Sequence, residues 1–316
     1  MNIHLTQTGY NSSNFFRNKS QGQLQDLSLP HTSLAPHPLL ADVCMHFLVM
    51  DIPSCWYTVP ASPLPMLIVV LSGAMEMEDG QTLYRFAIVG PNRHRSLGKA
   101  QPGSRFMSTT FRPGKLSKIL GYPVDEFSDA VINLADVLPL SHYTEVNEKL
   151  DAANGTAAQL DVVQSMLLRL RLLEKPRIAP LDIPYHWINK SAQELADSLG
   201  LGTRQFERRF LASFGLSLRS YKQHLRYGAS LTQVMLGRLP AKTWVECAMS
   251  FGYADQAHMN HDFVRFTGHT PAQLMRGIAA KDPALWAFSF NEAELGKLFI
   301  PTDEIDVVSV QDHIIA

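Results

Sequence analysis

Two textures divide the chain. Between residues 30 and 139 the apolar positions come in short or alternating runs: Val43–Met50, Met66–Leu71, Leu83–Val89 and Phe106–Phe111. Turn signals separate them, including Glu78-Asp79-Gly80, Gly90-Pro91-Asn92, Pro102-Gly103 and Pro113-Gly114. Short period-2 runs bounded by Gly, Pro and Asn predict strands. Many short strands with frequent turns predict a sandwich or small barrel, of the cupin-like or jelly-roll kind.

Beyond residue 140 the period lengthens. Leu160, Val163, Leu167 and Leu170 recur at helical spacing within Ala157–Glu174. That stripe covers only about two heptads, and two readings stay open. It is a dimerising seam, or a helix packed on its own β domain. Pro176, Pro180 and Pro184 then mark a linker at 177–185, and helical texture continues to about Arg276. The predicted fold class is therefore two-domain α+β, with a β-rich N-terminal half and an all-α C-terminal half.

Within the helical half, Ser191–Leu199 reads as a helix with Leu195, Ala196 and Leu199 on one face. Gly200-Leu201-Gly202 supplies a tight turn. A second helix starts near Thr203, with Phe206 and Phe210 inward and Arg204, Gln205, Glu207 and Arg208 outward. A short helix, a Gly-containing turn and a second helix with a polar outer face make a helix-turn-helix unit. The pattern returns further on. Thr243–Ser250 is apolar at Val245, Cys247 and Ala248, and Gly252 marks the turn. Asp255 is a good N-cap for a helix carrying Gln256, Ala257, His258, Asn260 and His261 outward and Phe263 and Phe266 inward. Thr270 and Pro271 then start another helix as N-cap and first residue. The amphipathic stretch Leu218–Leu236 joins the two units as a long strut.

Charge sharpens this division. The whole chain carries a formal net charge of -1, from 28 Lys+Arg against 29 Asp+Glu, which taken alone argues against a nucleic-acid partner. Divided by segment, residues 186–280 hold 11 basic and 6 acidic residues, a net of +5. Residues 281–316 hold 2 and 7, a net of -5, and residues 1–185 hold 15 and 16. A basic helical module is thus masked by an acidic tail. That tail, with Leu298-Phe299-Ile300 and Val307-Val308 interleaved, is either a solvated end or a cover for the basic face.

Two helix-turn-helix units joined by one helix resemble the DNA-binding domain of the AraC/XylS family of transcription regulators. The resemblance runs from about Leu195 to Leu274. It rests on Leu195-Ala196, Arg208-Arg209-Phe210, Gly215 and Tyr221, and then on Gly252 through His258, Phe263 and Gly268-His269-Thr270-Pro271. More loosely, Ala87–Pro91 and Phe111–Gly114 are similar to β-rich sensory domains of that family. Three positions depart from the family pattern: Met259 stands where Phe is usual, His261 where Arg is common, and Gly202 where Ser usually caps. At 261 a permanent cation gives way to a side chain type that ordinarily titrates near pH 6.5.

Along the chain this gives a polar arm at 1–29, a β-rich domain at 30–139 and a helical segment at 140–176, then the DNA-binding domain at 186–278 and the acidic tail at 279–316. The resemblance implies a sensory or effector role for the β-rich domain. It also implies double-stranded DNA as partner, with the two recognition helices in successive major grooves. A small-molecule effector, a homodimer and, for an activator, RNA polymerase complete the expected partners. Base readout falls to Arg204, Gln205, Glu207, Arg208, Gln256, His258, Asn260 and His261. Arg208 leads, because bidentate Arg to guanine is the commonest specific contact. Its alternative is an ion pair with Glu207 or Asp197. Thr203, Arg209, Arg219, Lys222, Arg226 and Asp255 suit phosphate contacts, the helix N-termini adding backbone amides. Arg93-His94-Arg95 is either an anionic-effector site or an exposed basic loop.

Other chemistries are weaker. No run of about 18 apolar residues marks a membrane span, and the polar N-terminus lacks a secretory signal pattern. Cys44, Cys55 and Cys247 lack metal-ligand spacing, so packed thiols in a reducing cytoplasm are expected. His31, His37, His46 and His94 contain no close His-x-His pair. No cofactor and no catalytic activity are expected. The competing class is a metal-dependent cupin-type enzyme, or a DNA-repair protein carrying the same DNA-binding module.

Overall fold

The computed structural model describes residues 31–173, 179–239 and 241–289. The polar arm and the acidic stretch beyond Ser289, with its two apolar clusters, lie outside the described residues. The N-terminal half is built on two antiparallel sheets. The larger runs in the order β1 (His31–Leu34), β2 (Cys44–Asp51), β8 (Arg105–Phe111), β4 (Met66–Ser72), β6 (Phe86–Val89), β9 (Val131–Asn133). The smaller has β7 (Ser96–Ala100) between β3 (Trp56–Val59) and β5 (Met75–Met77). The four predicted runs correspond to β2, β4, β6 and β8. The other five strands have three to five residues each. Runs such as Ser-Leu-Gly-Lys-Ala carry too few apolar side chains to announce themselves.

Side-chain alternation splits the large sheet into two working faces. Phe47 and Val49 of β2, Leu67 and Val69 of β4, and Met107 and Phe111 of β8 share one buried cluster. Helix α1 (Ser117–Leu120) and the long α3 (Gly155–Leu173) cover that face, α3 with α2 (Leu140–Ala152) beside it. In α3, Val163, Leu167 and Leu170 are buried in this cluster and Leu160 packs on its rim. The apolar stripe therefore faces the chain's own β domain. The opposite face, with Leu48, Met50, Met66, Ile68 and Phe106, looks toward the small sheet across a cavity.

The C-terminal half is helical: α4 (Ala192–Ser198), α5 (Thr203–Phe214), α6 (Leu218–Met235), α7 (Trp244–Ser250), α8 (Gln256–Thr267) and α9 (Pro271–Ala279). Its stops and starts follow from capping. Ser191 and Thr243 each close a capping box with the Glu three residues on, which satisfies backbone donors reciprocally. Asp255 and Thr270 cap α8 and α9 through their side chains. Each unit has its own core. Leu195, Phe206, Phe210 and Tyr221 anchor the first, and Cys247, Met259, Phe263 and Leu274 the second. The strut α6 feeds both, with Tyr221 in one core and Tyr227, Leu231 and Val234 in the other.

The halves are joined by more than the linker. Ser128 Oγ donates to Gly215 O, and Ala61, from the β domain, sits in the core of the second unit. Residues 283–288 fold into a 3-10 segment capped by Asp282. This segment falls at the front of the stretch set apart by its acidic composition. Its Leu285 and Phe288 nevertheless pack in the second unit's core.

Candidate nucleic-acid interface and effector cavity

Helices α5 and α8 have the same length, 12 residues, and the same design. Each begins after an extended cap, at Gly202 or Asp255, and ends on a left-handed glycine, Gly215 or Gly268. Phe206 and Met259 fill equivalent buried positions, as do Phe210 and Phe263. The exchange of Phe for Met at 259 keeps an apolar side chain of adaptable shape, and Met259 is fully buried. The outward faces are not equivalent in chemistry. Arg204, Arg208 and Leu211 are exposed on α5, where α8 exposes Ala257, His261 and Val264.

On α5, Arg204, Gln205, Glu207 and Arg208 are all exposed. Arg208 pairs with neither Glu207 nor Asp197, and among the described residues it has no ion pair. On α8, His261 is exposed, while Gln256, His258 and Asn260 are half-buried. The His258 ring stands edge-on to Tyr253, with centroids 5.2 Å apart, and lies 3.3 Å from Arg226.

The cations assigned to phosphates divide into two groups. Arg219 is exposed at the start of α6. The others have internal partners. Arg209 donates to Ala179 O at 3.2 Å. Lys222 donates to Asn189 O and Lys190 O at 3.1 and 2.7 Å, and burial pulls its pKa down. Arg226 lies 4.5 Å over the Tyr253 ring and 3.4 Å from Asp262, whose carboxylate is fully buried and accepts from Gln223 at 2.6 Å. Thr203 donates to Gln193 at 2.5 Å, and Asp255 accepts from the His258 backbone N–H.

In the β domain, the cavity between the sheets has a volume of about 470 Å³. Its walls are mostly apolar, including Met50, Ile68, Met75, Met77 and Phe106, and its polar end includes Asn92, His94 and Arg95. Arg93 is not in the lining. Its guanidinium and backbone N–H are both taken by Asp129. Burial tends to raise the Asp129 carboxyl, but the Arg93 hydrogen bonds and charge hold it below the usual range. Asp129 adopts φ 55°, a left-handed conformation costly for a non-glycine residue. This places Arg93 as the buttress of the loop and Arg95 as the cation of the cavity.

Sequence reasoning overlooked Trp286, which also lines this cavity although it follows α9 in the helical half. Its ring meets Tyr57 edge-on at 4.9 Å. The signal was present as an apolar run, Pro283-Ala-Leu-Trp-Ala-Phe288, directly after an Asp able to cap it.

Burial pushes the Cys44 thiol up to about 12 and raises Cys55 and Cys247 as well. All three are thus poor thiolates at neutral pH. Among the described residues, no cluster of three or more His, Cys, Asp or Glu converges to hold a metal ion, and no helix is long and apolar enough to cross a membrane.

Paired helix-turn-helix units with free polar side chains on the outer faces define a DNA-binding module. Residues 195–277 match the family model of a helix-turn-helix domain. No curated protein matches the sequence. Among solved structures, ToxT from Vibrio cholerae is similar at 11% identity over 73% of this chain and 98% of ToxT, with a TM-score of 0.40. ToxT bound to (E)-4-(8-methylnaphthalen-1-yl)but-3-enoic acid gives 11% identity over 78% and 98%, with a TM-score of 0.41. The AraC-like transcriptional activator CuxR gives 14% over 59% and 76%, with a TM-score of 0.24.

Proposed function

We propose that this chain is a cytoplasmic, sequence-specific transcription regulator whose two recognition helices enter successive major grooves on one face of a duplex. Such grooves lie about 34 Å apart along the axis. The observation that carries the reading is the outer face of α5. Arg204, Gln205, Glu207 and Arg208 stand exposed on a helix whose other face is locked by Phe206 and Phe210. Side chains free of internal bonds on a rigid helix are what base readout needs.

The two helices contribute unequally. Helix α5 reads bases, led by Arg208, while α8 offers the neutral Gln256 and Asn260, with His258 and His261 beside them. Arg219 contacts phosphate. Arg209, Lys222 and Arg226 shape the module more than they touch DNA, because each is already engaged internally. The β domain receives a small-molecule effector in its cavity, whose size lies within the usual range for such sites, about 300–1,000 Å³. Catalysis has no part in this reading.

In vitro selection of bound DNA from a random pool tests it directly. The expected product is a site with two sequence blocks about one helical turn apart, the stronger facing α5. Recovery of no enriched sequence, with no salt-dependent DNA binding, overturns the reading.

A further inference from the structure

The cavity is not a property of the β domain alone. Trp286 and Ala287 form part of its lining, and both belong to the segment that follows the last helix of the second helix-turn-helix unit. That segment is anchored at both ends of its short length. Tyr57 holds the Trp286 ring from β3, and Cys55 Sγ lies 3.6 Å from Pro283 O. Leu285 and Phe288 tie the same turn into the second unit's core. Gly277 of α9 comes so close that a Cβ there would clash with Leu285 Cδ1. Trp286 is therefore tied to α9 through the packing of its neighbour Leu285.

The polar end of the cavity reaches the same unit by a second route. Arg95 lines the cavity, its backbone N–H donates to Arg265 O at 3.3 Å, and its side chain packs on Gly268 at the end of α8. Arg265 Nε in turn donates to Arg93 O at 3.0 Å. Arg95 has no ion pair among the described residues, whereas Asp129, the carboxylate in the lining, is already neutralised by Arg93. The Trp286 indole N–H is shut off from solvent and has no hydrogen-bond partner. The cavity thus presents a mostly apolar body, part of it the Trp286 ring, and one uncompensated cation.

We infer that the cavity takes a compact apolar molecule with a single anionic head, and that Trp286 is one of its binding residues. Ligand binding therefore fastens the second helix-turn-helix unit to the β domain. This rests on the reading of the cavity as an effector site. The sign follows from linkage. Contacts to Trp286 and Ala287 exist only while residues 283–288 are docked, so the ligand binds the docked arrangement more tightly and stabilises it by the same factor.

The test uses the full chain and 8-anilinonaphthalene-1-sulfonate, an apolar aromatic anion, as probe. Fluorescence titration is expected to give saturable binding that weakens about tenfold or more in Trp286→Ala and about fivefold or more in Arg95→Gln. Ile68→Trp and Met66→Trp, which fill the cavity from β4, abolish it; thermal melts verify that each variant folds, and either one suffices. At saturating probe, amide hydrogen exchange across residues 271–288 slows in the unsubstituted protein and is unchanged in Trp286→Ala. Equal probe affinity with and without Trp286 overturns the inference, as does unchanged exchange across 271–288 or the absence of saturable binding. DNA binding measured on the selected site separates this from the reading beneath it. A protein that binds DNA but fails these tests loses only the linkage, while a protein that binds no DNA loses the regulatory reading itself.

Discussion

Gly215 and Gly268 end the two recognition helices in the same left-handed conformation, at φ 73° and 78°, and both press on the single β-domain loop running from Pro91 to Arg95. The neighbours differ in how far they can yield. A Cβ at 215 would stand 2.8 Å from Pro91 Cγ and 2.9 Å from Ser128 Oγ, in a tightly packed joint. A Cβ at 268 would meet Arg95 Cδ and Nε at 2.8 Å, part of a flexible side chain. Both alanine variants bear the left-handed penalty of about 1–2 kcal/mol. Gly215→Ala adds overpacking of about 1–3 kcal/mol. Urea unfolding is expected to rank Gly215→Ala as clearly less stable than Gly268→Ala. Equal midpoints would contradict the packing difference.

The two recognition helices make opposite predictions under mutation. Arg208→Ala removes the leading base contact and is expected to weaken specific binding by about 1–3 kcal/mol, with relaxed preference at the contacted position. At the equivalent place on α8, His261→Arg adds a permanent cation to an exposed position. It is expected to strengthen binding to all sequences and to steepen the salt dependence by about one phosphate equivalent. Fluorescence anisotropy on the selected site and on a scrambled duplex, at several salt concentrations, reads both effects. Unchanged affinity and preference in Arg208→Ala would remove Arg208 from the readout set.

The helical module was legible in the sequence because its signals are local. Caps, glycine turns and apolar residues four apart act within a few positions, so Ser191, Thr243, Asp255 and Thr270 could be read as starts before any contact was known. The β half was less legible. Strands such as Met75–Met77 and Ser96–Ala100 exist through pairing with each other, which no short window contains. Site residues followed the same division. Arg208 is exposed because of where it sits on its own helix. Arg226 looked identical as a surface cation, yet Asp262, 36 residues on, draws it inward. Trp286 was hidden by composition, since a segment-wide acidic balance concealed a short turn whose Leu285, Ala287 and Phe288 are buried.

The Arg226–Asp262 contact is a structural joint between the strut and the second recognition helix. Asp262 is 0% exposed and Arg226 27%, so only the carboxylate is fully removed from water. Asp262→Ala leaves the Gln223 amide and the Arg226 guanidinium without their acceptor and is expected to cost about 2–3 kcal/mol. Asp262→Asn retains an oxygen for Gln223 and should cost less than half of that. Arg226→Ala is expected to lower the melting temperature without changing the salt slope of DNA binding, whereas Arg219→Ala lowers that slope by about one. A reduced slope in Arg226→Ala would instead place its guanidinium on a phosphate.

His224 gives the joint between the halves a pH dependence. Its Nδ1 and Nε2 each lie 2.9 Å from a backbone carbonyl oxygen, of Ser220 on its own helix and of Asn92 in the β-domain loop. A neutral imidazole donates to one of them; an imidazolium would serve both. Burial opposes that charge and is the dominant effect. With the nearby Arg265 it outweighs the two carbonyls and Asp262 and depresses the pKa below its ordinary value. The unfolded chain then takes up a proton near pH 6.5 while the folded chain does not. Stability is accordingly complete above that pH and declines as the pH falls toward the depressed folded value. Urea midpoints between pH 7.5 and 5 should fall more steeply for the unsubstituted protein than for His224→Gln, whose amide supplies two donors with no charge to bury. A midpoint that rises on acidification, and rises less in His224→Gln, would show that the paired carbonyls outweigh burial and would reverse the sign.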